Sequence, residues 1–458
     1  MNRTSAILIS AAILTMVAII LGRGRDRSET PVPVPGVRVH AGGMTLTTNP
    51  SSSHVLRGSA GEVFLDLSLA APETKQVKRL PLNIGLVIDR SGSMAGQKLQ
   101  SAREAASRLV SRLRAGDRIA IVTYGSDVTV LVPSTEITAD SRSNILNTIS
   151  SIVDRGGTFL SGGLDRGRDE VLRYERKGYV NRVILISDGQ ANEGVTSPGA
   201  LAALARQTLA RGVNLTTMGV GLDFNEEVMT AMAEHGGGHY YFVQNASAMA
   251  RFFTDELDTM TAVVAKTAVV EIELEPGVEL LDLYGYAFEQ NGRKVTVRLP
   301  DMFSGQDRRI ICRLRVPAGR EGKVSVGRVT LAYLDVDSGR REAVTGEAIV
   351  MVTANESVVE KGKDKQVLAR AEQVQAAATM NQAMKAYEQG DVARSQTLLR
   401  KQIARVRSIN TRLKNKALDD VMGEMQGQVA GTAAAAPSSS AGRALRKRTR
   451  YRAYKLGK

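Results

Sequence analysis

The side chains best suited to chemistry sit at three separated points of the chain. The run Asp89-Arg90-Ser91-Gly92-Ser93-Met94 closes the apolar segment LNIGLVID and carries one carboxylate and two hydroxyls out together. Thr158 lies in the glycine-rich stretch RGGTFLSGG, and Asp188-Gly189 ends a second apolar segment, VILIS. Asp89, Ser91, Ser93, Thr158 and Asp188 all offer oxygen. Hard cations such as Mg2+ take oxygen ligands and fill their remaining positions with water, whereas zinc and copper draw on thiolate and imidazole. If the fold brings the three points to one crevice, the residue types predict a site for a hard divalent cation.

Other chemistries find less support. There are four histidines and no HExxH pair of the zinc hydrolase type. His235 and His239 are four apart, like a helical metal pair, but Gly236-Gly237-Gly238 between them predicts a turn before a strand. The glycine pairs Gly156-Gly157 and Gly162-Gly163 lack the lysine of a phosphate loop. Glu104 and Glu193, near the three points in sequence, read as solvated acids. The single cysteine excludes an internal disulfide, and Cys312 falls on the apolar phase of its segment, as a core thiol would. With no Ser/His/Asp or Cys/His set in view, the chain reads as a binding protein and not as an enzyme.

The elements that must position these residues follow from periodicity. LNIGLVID is a continuous apolar run, as in a parallel strand buried on both faces. A helix is predicted for 97–114, with Leu99, Ala102, Ala106, Leu109 and Leu113 on one face. Strands at 118–124, 182–187, 213–220 and 240–243 alternate with helices at 141–153, 160–176, 198–211 and 225–235. That alternation predicts a doubly wound α/β domain, in which ligands sit beyond the carboxyl ends of the strands. From about residue 268 the period becomes two: Val270, Ile272 and Leu274 alternate with glutamates, and Ile310, Cys312, Leu314 and Val316 repeat the pattern. Two early strands, near 44–48 and 63–69, have no sheet of their own. The expected architecture is therefore an α/β domain (82–262) inserted in a β-sandwich (37–81 and 263–353). A helical hairpin (354–425) and a flexible linker with a basic tail (426–458) follow. Within the hairpin, AMKAYEQGDVARSQTLLRK resembles one tetratricopeptide unit, which cannot bury its own face and must dock elsewhere.

At the three points the resemblance becomes specific. The chain resembles a von Willebrand factor type A (VWA) domain over about 82–262. Asp89, Ser91 and Ser93 match the DxSxS line of that family's metal-ion-dependent adhesion site, Thr158 the threonine of its second loop, and Asp188 the aspartate of its third. The wider arrangement is similar to bacterial exported proteins of the calcium-activated-chloride-channel-like group, through GVGLDFNEEVMTAMAEHGGGHYYFV, although no pore-like set of spanning segments is present. Inter-alpha-trypsin-inhibitor heavy chains share the A domain. The resemblance implies a rigid Rossmann-like fold and Mg2+ at the site, with Mn2+ or Ca2+ as alternatives. It also implies that Ser91, Ser93 and Thr158 ligate directly, with Asp89 and Asp188 binding directly or through water. An Asp or Glu of a partner protein would complete the coordination.

The two ends of the chain carry further signals. Between Arg3 and Arg23 lie 19 uncharged residues, long enough as a helix to span about 28 Å. Residues 1–22 are expected to be an uncleaved anchor, or else a cleaved signal peptide, and 23–36 a Pro/Gly linker. Flanking arginines favour a cytoplasmic body, yet long domains translocate regardless of charge, so the body is expected outside the cytoplasm, in the periplasm or at the cell surface. The net charge is +14, and eight of the basic residues fall in 443–458 without an acid. Arg443, Arg446, Lys447, Arg448, Arg450 and Arg452 are thus candidates for binding an anionic partner, whether nucleic acid or a membrane surface. Two functional classes remain: a metal-dependent adhesion module of the cell envelope, or an envelope assembly factor acting through the helical hairpin and basic tail.

Overall fold

The computed structural model describes residues 36–458 apart from 75–78, 175–177 and 245–248. The anchor or signal at 1–22, and nearly all of the linker, lie outside these residues. Among the described residues no helix is long and apolar enough to cross a membrane.

The α/β domain is built on a six-stranded sheet in the order Gly237–Val243, Asn214–Val220, Val180–Ser187, Leu82–Asp89, Arg118–Tyr124, Val128–Glu136. The first five run parallel, and Val128–Glu136 pairs antiparallel at the edge. Leu82–Asp89 is buried at every position, as its unbroken apolar run requires. Its alternate residues feed two cores. Leu82, Ile84, Leu86 and Ile88 meet the helices Gln97–Arg112, Ala139–Ser150 and Met249–Thr261 on one face. Val87 meets the helices Leu160–Leu172, Pro198–Ala210 and Glu226–His235 on the other. Two elements differ from expectation. Val128–Glu136 was not among the expected strands; Pro133 within it falls at a register irregularity opposite Ile119–Ile121, at the sheet edge where a proline is tolerated. Met249–Thr261 adds a sixth helix, which presents Met249, Phe253, Leu257 and Met260 to the core.

The strands before Leu82 join those after 262. Glu62–Ala70 pairs along its length with Asp307–Arg315, and with Met44–Pro50 on its other side. Together with Val37–Ala41 and Glu279–Tyr284 these form a five-stranded sheet. A seven-stranded sheet centred on Val263–Leu274, Gly322–Asp335 and Arg341–Thr353 also recruits the early strand His54–Leu56. Leu46, Leu65, Leu67 and Cys312 of the first sheet share one apolar core with Val270, Ile272, Leu331 and Val350 of the second. Burial there pushes the Cys312 thiol up to about 12, which keeps it protonated and inert.

The C-terminal region corrects the expectation of a hairpin followed by a free tail. Lys365–Glu388 and Val392–Leu413 form the hairpin, and Lys365–Glu388 seats Ala371 and Val374 against Ile311 of the five-stranded sheet. A further helix, Lys416–Ala434, runs into the first part of the expected linker, since alanine is the strongest helix former. Residues 435–439 break the chain, Ser439 caps the next helix by accepting from the Gly442 N–H, and Ser440–Gly457 is helical.

Candidate functional site

The three points converge at the carboxyl end of the parallel sheet. Asp89 ends the central strand and is fully buried. Beyond it the chain makes a short 3-10 turn, Gly92–Met94, pinned by Met94, which is buried in the core. Gly96 then takes φ 73°, in the left-handed region that favours glycine, and starts the helix at Gln97. Hydrogen bonds stitch this loop to its neighbours. The Arg155 N–H donates to the Arg90 carbonyl at 2.5 Å and the Gly92 N–H to the Gly156 carbonyl at 3.1 Å. The Thr158 N–H donates to Asn192 Oδ1 at 2.8 Å, and the Asn192 N–H returns to the Thr158 carbonyl at 3.2 Å. Arg90 reaches across to Asp127 at 2.7 Å.

Four of the five oxygen-bearing residues, Asp89, Ser91, Ser93 and Asp188, are linked by hydrogen bonds, and Thr158 borders the same opening. Ser91 and Ser93 hydroxyls lie 3.1 Å apart. Ser93 Oγ donates to Asp188 Oδ1 at 2.7 Å. Asp89 Oδ1 accepts from the Ser91 N–H at 2.8 Å, and its Oδ2 from Ser187 Oγ at 2.7 Å. A Cβ placed on Gly189 would stand 3.3 Å from Thr158 Oγ1 and 3.4 Å from Ser93 Oγ, so Gly189 leaves open a cradle bordered by both hydroxyls. Burial, together with the nearby Asp188 charge, raises the Asp89 pKa above the usual carboxylate range despite bonds from Ser91 and Ser187. Two buried carboxylates at adjacent strand ends, with hydroxyls around an open cradle, suit a hard divalent cation. Among the described residues no three His, Cys, Asp or Glu side chains are grouped for a metal; here two carboxylates act with hydroxyls instead.

Two contributors lie beyond what the sequence reading identified. The Lys98 ammonium pairs with Asp188 Oδ2 at 2.5 Å, and Ser187 fixes Asp89. Ser187 had a weak signal, a small polar residue ending an apolar strand; Lys98 had none. Glu104 is exposed and takes a bond from Gln100. Glu193 accepts from Ser126 Oγ at 2.7 Å, beside the Gly157 loop. His235 and His239 form no ligand pair: His235 ends a helix, while His239 lies in a strand and meets Glu256 at 3.0 Å.

Of the six basic-tail residues, Arg446, Lys447 and Arg450 are taken up within the fold, which corrects the expectation of a free tail for these three, while Arg443, Arg448 and Arg452 stay partly or fully exposed. Arg446 and Lys447 meet Glu226 at 2.5 and 2.8 Å, and Arg450 meets Glu388 at 3.0 Å. Lys447 also donates to the Phe224 carbonyl at 2.6 Å and lies over the Phe224 ring. Arg452 pairs with Glu424 at 2.6 Å, Arg448 bonds Gln244 at 3.0 Å, and Arg443 stands 3.9 Å from Asp223. Acids elsewhere in the fold therefore engage five of these cations, whereas exposed Arg448 meets only the neutral Gln244.

A crevice of oxygen donors at the carboxyl end of a doubly wound sheet defines a VWA-type module. Residues 83–255 match the model of the von Willebrand factor type A domain, and the chain carries such a domain. The protein YfbK of Escherichia coli (strain K12) is 31% identical over 215 residues, which span 46% of this chain and 37% of that protein. A von Willebrand factor type A protein from Catenulispora acidiphila superposes with a TM-score of 0.67 at 16% identity, covering 83% of this chain and 89% of that one. The ArnB paralog VWA2 from Sulfolobus acidocaldarius gives 0.60 at 17% identity, covering 89% and 98%. At these identities the two structures show a shared fold. VWA domains as a family commonly bind a divalent metal, mediate protein–protein contacts and are generally not enzymes.

Proposed function

We propose that Asp89, Ser91, Ser93, Thr158 and Asp188 hold Mg2+ or Mn2+ and that the site binds an Asp or Glu side chain of a partner protein. The observation that carries this reading is the cradle at Gly189, bordered by the Thr158 and Ser93 hydroxyls beside two buried carboxylates. A bound divalent cation would supply the positive pole for an incoming carboxylate. The chain's own residues do the rest. Ser187 and the Ser91 N–H orient Asp89, Ser93 orients Asp188, and the Asn192 bonds hold the Thr158 loop over the strand ends. The alternative is an envelope assembly factor acting through the helical hairpin and basic tail; its tail contacts are disfavoured because Arg446, Lys447 and Arg450 are already paired within the chain. Calorimetry with Mn2+ tests the proposal: wild type gives a saturable heat and Asp89→Ala gives none. Equal heats from the two proteins would refute it.

A further inference from the structure

The two oxygens of Asp188 face different groups. Oδ1 accepts from Ser93 Oγ, on the side where the hydroxyls gather. Oδ2 takes the Lys98 ammonium, which also donates to the Ser93 carbonyl at 3.1 Å. A Cβ on Gly221 would lie 3.4 Å from Lys98 Cε, whereas one on Gly189 meets Thr158 and Ser93. Gly221 follows the strand Asn214–Val220, the neighbour of Val180–Ser187 on the side away from Asp89. Lys98 therefore flanks the crevice and leaves its hydroxyl lining clear.

Beside the crevice Arg90 and Asp127 pair with each other at 2.7 Å. The Asp188 side chain is fully buried, while that of Lys98 is 28% exposed. Asp89 makes hydrogen bonds to neutral donors, from the Ser91 N–H and Ser187 Oγ. Of the two buried carboxylates, Asp188 alone contacts an ammonium, that of Lys98. Buried charge without compensation is strongly disfavoured, so the sign left over governs what enters next.

We propose that Lys98 sets the charge of the crevice so that, with a divalent cation held, it accepts a single carboxylate. This rests on the metal reading above. The two aspartates and Lys98 together carry one negative charge; a divalent cation changes this to one positive charge, which one carboxylate neutralises. Without the lysine the cation alone would neutralise the aspartates, and an added carboxylate would leave an unbalanced negative charge. Lys98 is a positioning and charge-setting residue that weakens cation binding and strengthens carboxylate binding.

The test uses the full chain, with Mn2+ affinity read by electron paramagnetic resonance in the presence and absence of acetate as the carboxylate probe. Binding linkage is reciprocal, so a carboxylate that prefers the loaded site tightens Mn2+ binding. Acetate is expected to tighten Mn2+ binding in wild type and in Lys98→Arg. Lys98→Met is expected to bind Mn2+ about tenfold more tightly than wild type, the effect of one nearby unit charge at a partly solvated site, and to lose the response to acetate. Melting in chelator checks that each variant is folded. If Lys98→Met matches wild type in affinity and acetate response, the charge-setting role is overturned while the metal reading stands. Weaker Mn2+ binding with the acetate response intact also overturns it, leaving Lys98 only to orient Asp188. Absence of Mn2+ binding in every protein removes both proposals. Binding only in Lys98→Met supports the lysine's opposition to the cation and removes the metal reading for wild type.

Discussion

Replacing Glu226 with Gln tests how the C-terminal helix is fastened to the VWA domain. The Glu226 side chain is 2% exposed and faces three cations: Arg446 at 2.5 Å, Lys447 at 2.8 Å and Arg450 at 3.4 Å. Arg446 and Arg450 keep Glu388 as a second partner at 3.0 Å each. Lys447, fully buried, would keep the Phe224 carbonyl and ring. Removing one member of a buried ion pair costs about 3–5 kcal/mol. The variant amide still accepts a hydrogen bond, so the lower end, about 3 kcal/mol, is expected. Burial raises the Glu226 pKa, but Lys447, Arg450 and Arg446 outweigh it and hold the group below the usual glutamate range. The sign follows: this stabilisation is complete above the ordinary glutamate pKa and is lost as pH falls through the depressed value. Limited proteolysis around residues 435–443 and urea unfolding at neutral pH read the effect, with Arg448→Ala as an exposed control expected to stay within about 0.5 kcal/mol. A Glu226→Gln protein as stable and as protease-resistant as wild type would show that packing alone, and not the charge cluster, holds the helix.

Two other outcomes are expected. Ser93→Ala, at an exposed turn position, should shift melting in chelator by only about 0.5 kcal/mol while lowering Mn2+ affinity at least about tenfold; unchanged affinity would remove Ser93 from the ligand set. Glu256 is buried with Arg182, His239, Tyr241 and Thr216 around it. Burial raises its pKa, but Arg182 and His239 outweigh it and hold it well below the glutamate range. Glu256→Gln should cost about 3–5 kcal/mol at neutral pH, in a gap that narrows as the medium is acidified below the ordinary glutamate pKa. Urea midpoints across pH that keep the gap constant would contradict this.

What the sequence made legible divides by the range of the interaction. The oxygen set of the crevice was readable because residue type and strand-end position already state its chemistry. The helix Met249–Thr261 carries its core spacing openly and was readable in principle. Val128–Glu136 contains Pro133, whose tolerance depends on the strand lying at an edge. Lys98 gains its role only when sheet order sets the Val180–Ser187 strand between Leu82–Asp89 and Asn214–Val220, a fact no local pattern holds. The tail was misread for the same reason: composition records eight basic residues but not that Glu226, more than two hundred positions earlier, receives three of them.

That distance also has a meaning in time. The Tyr240 N–H donates to the Tyr454 hydroxyl across 214 positions, and Phe224, Glu226 and Tyr240 are covered by the same helix. Ribosomes add about 5–20 residues per second, so roughly 10–40 s separate the emergence of this wall from that of its cover. During that interval the parallel sheet can close while two aromatic rings and a carboxylate at its flank still face water. Residues 440–457 therefore cover this wall only after nearly the whole chain has been synthesised.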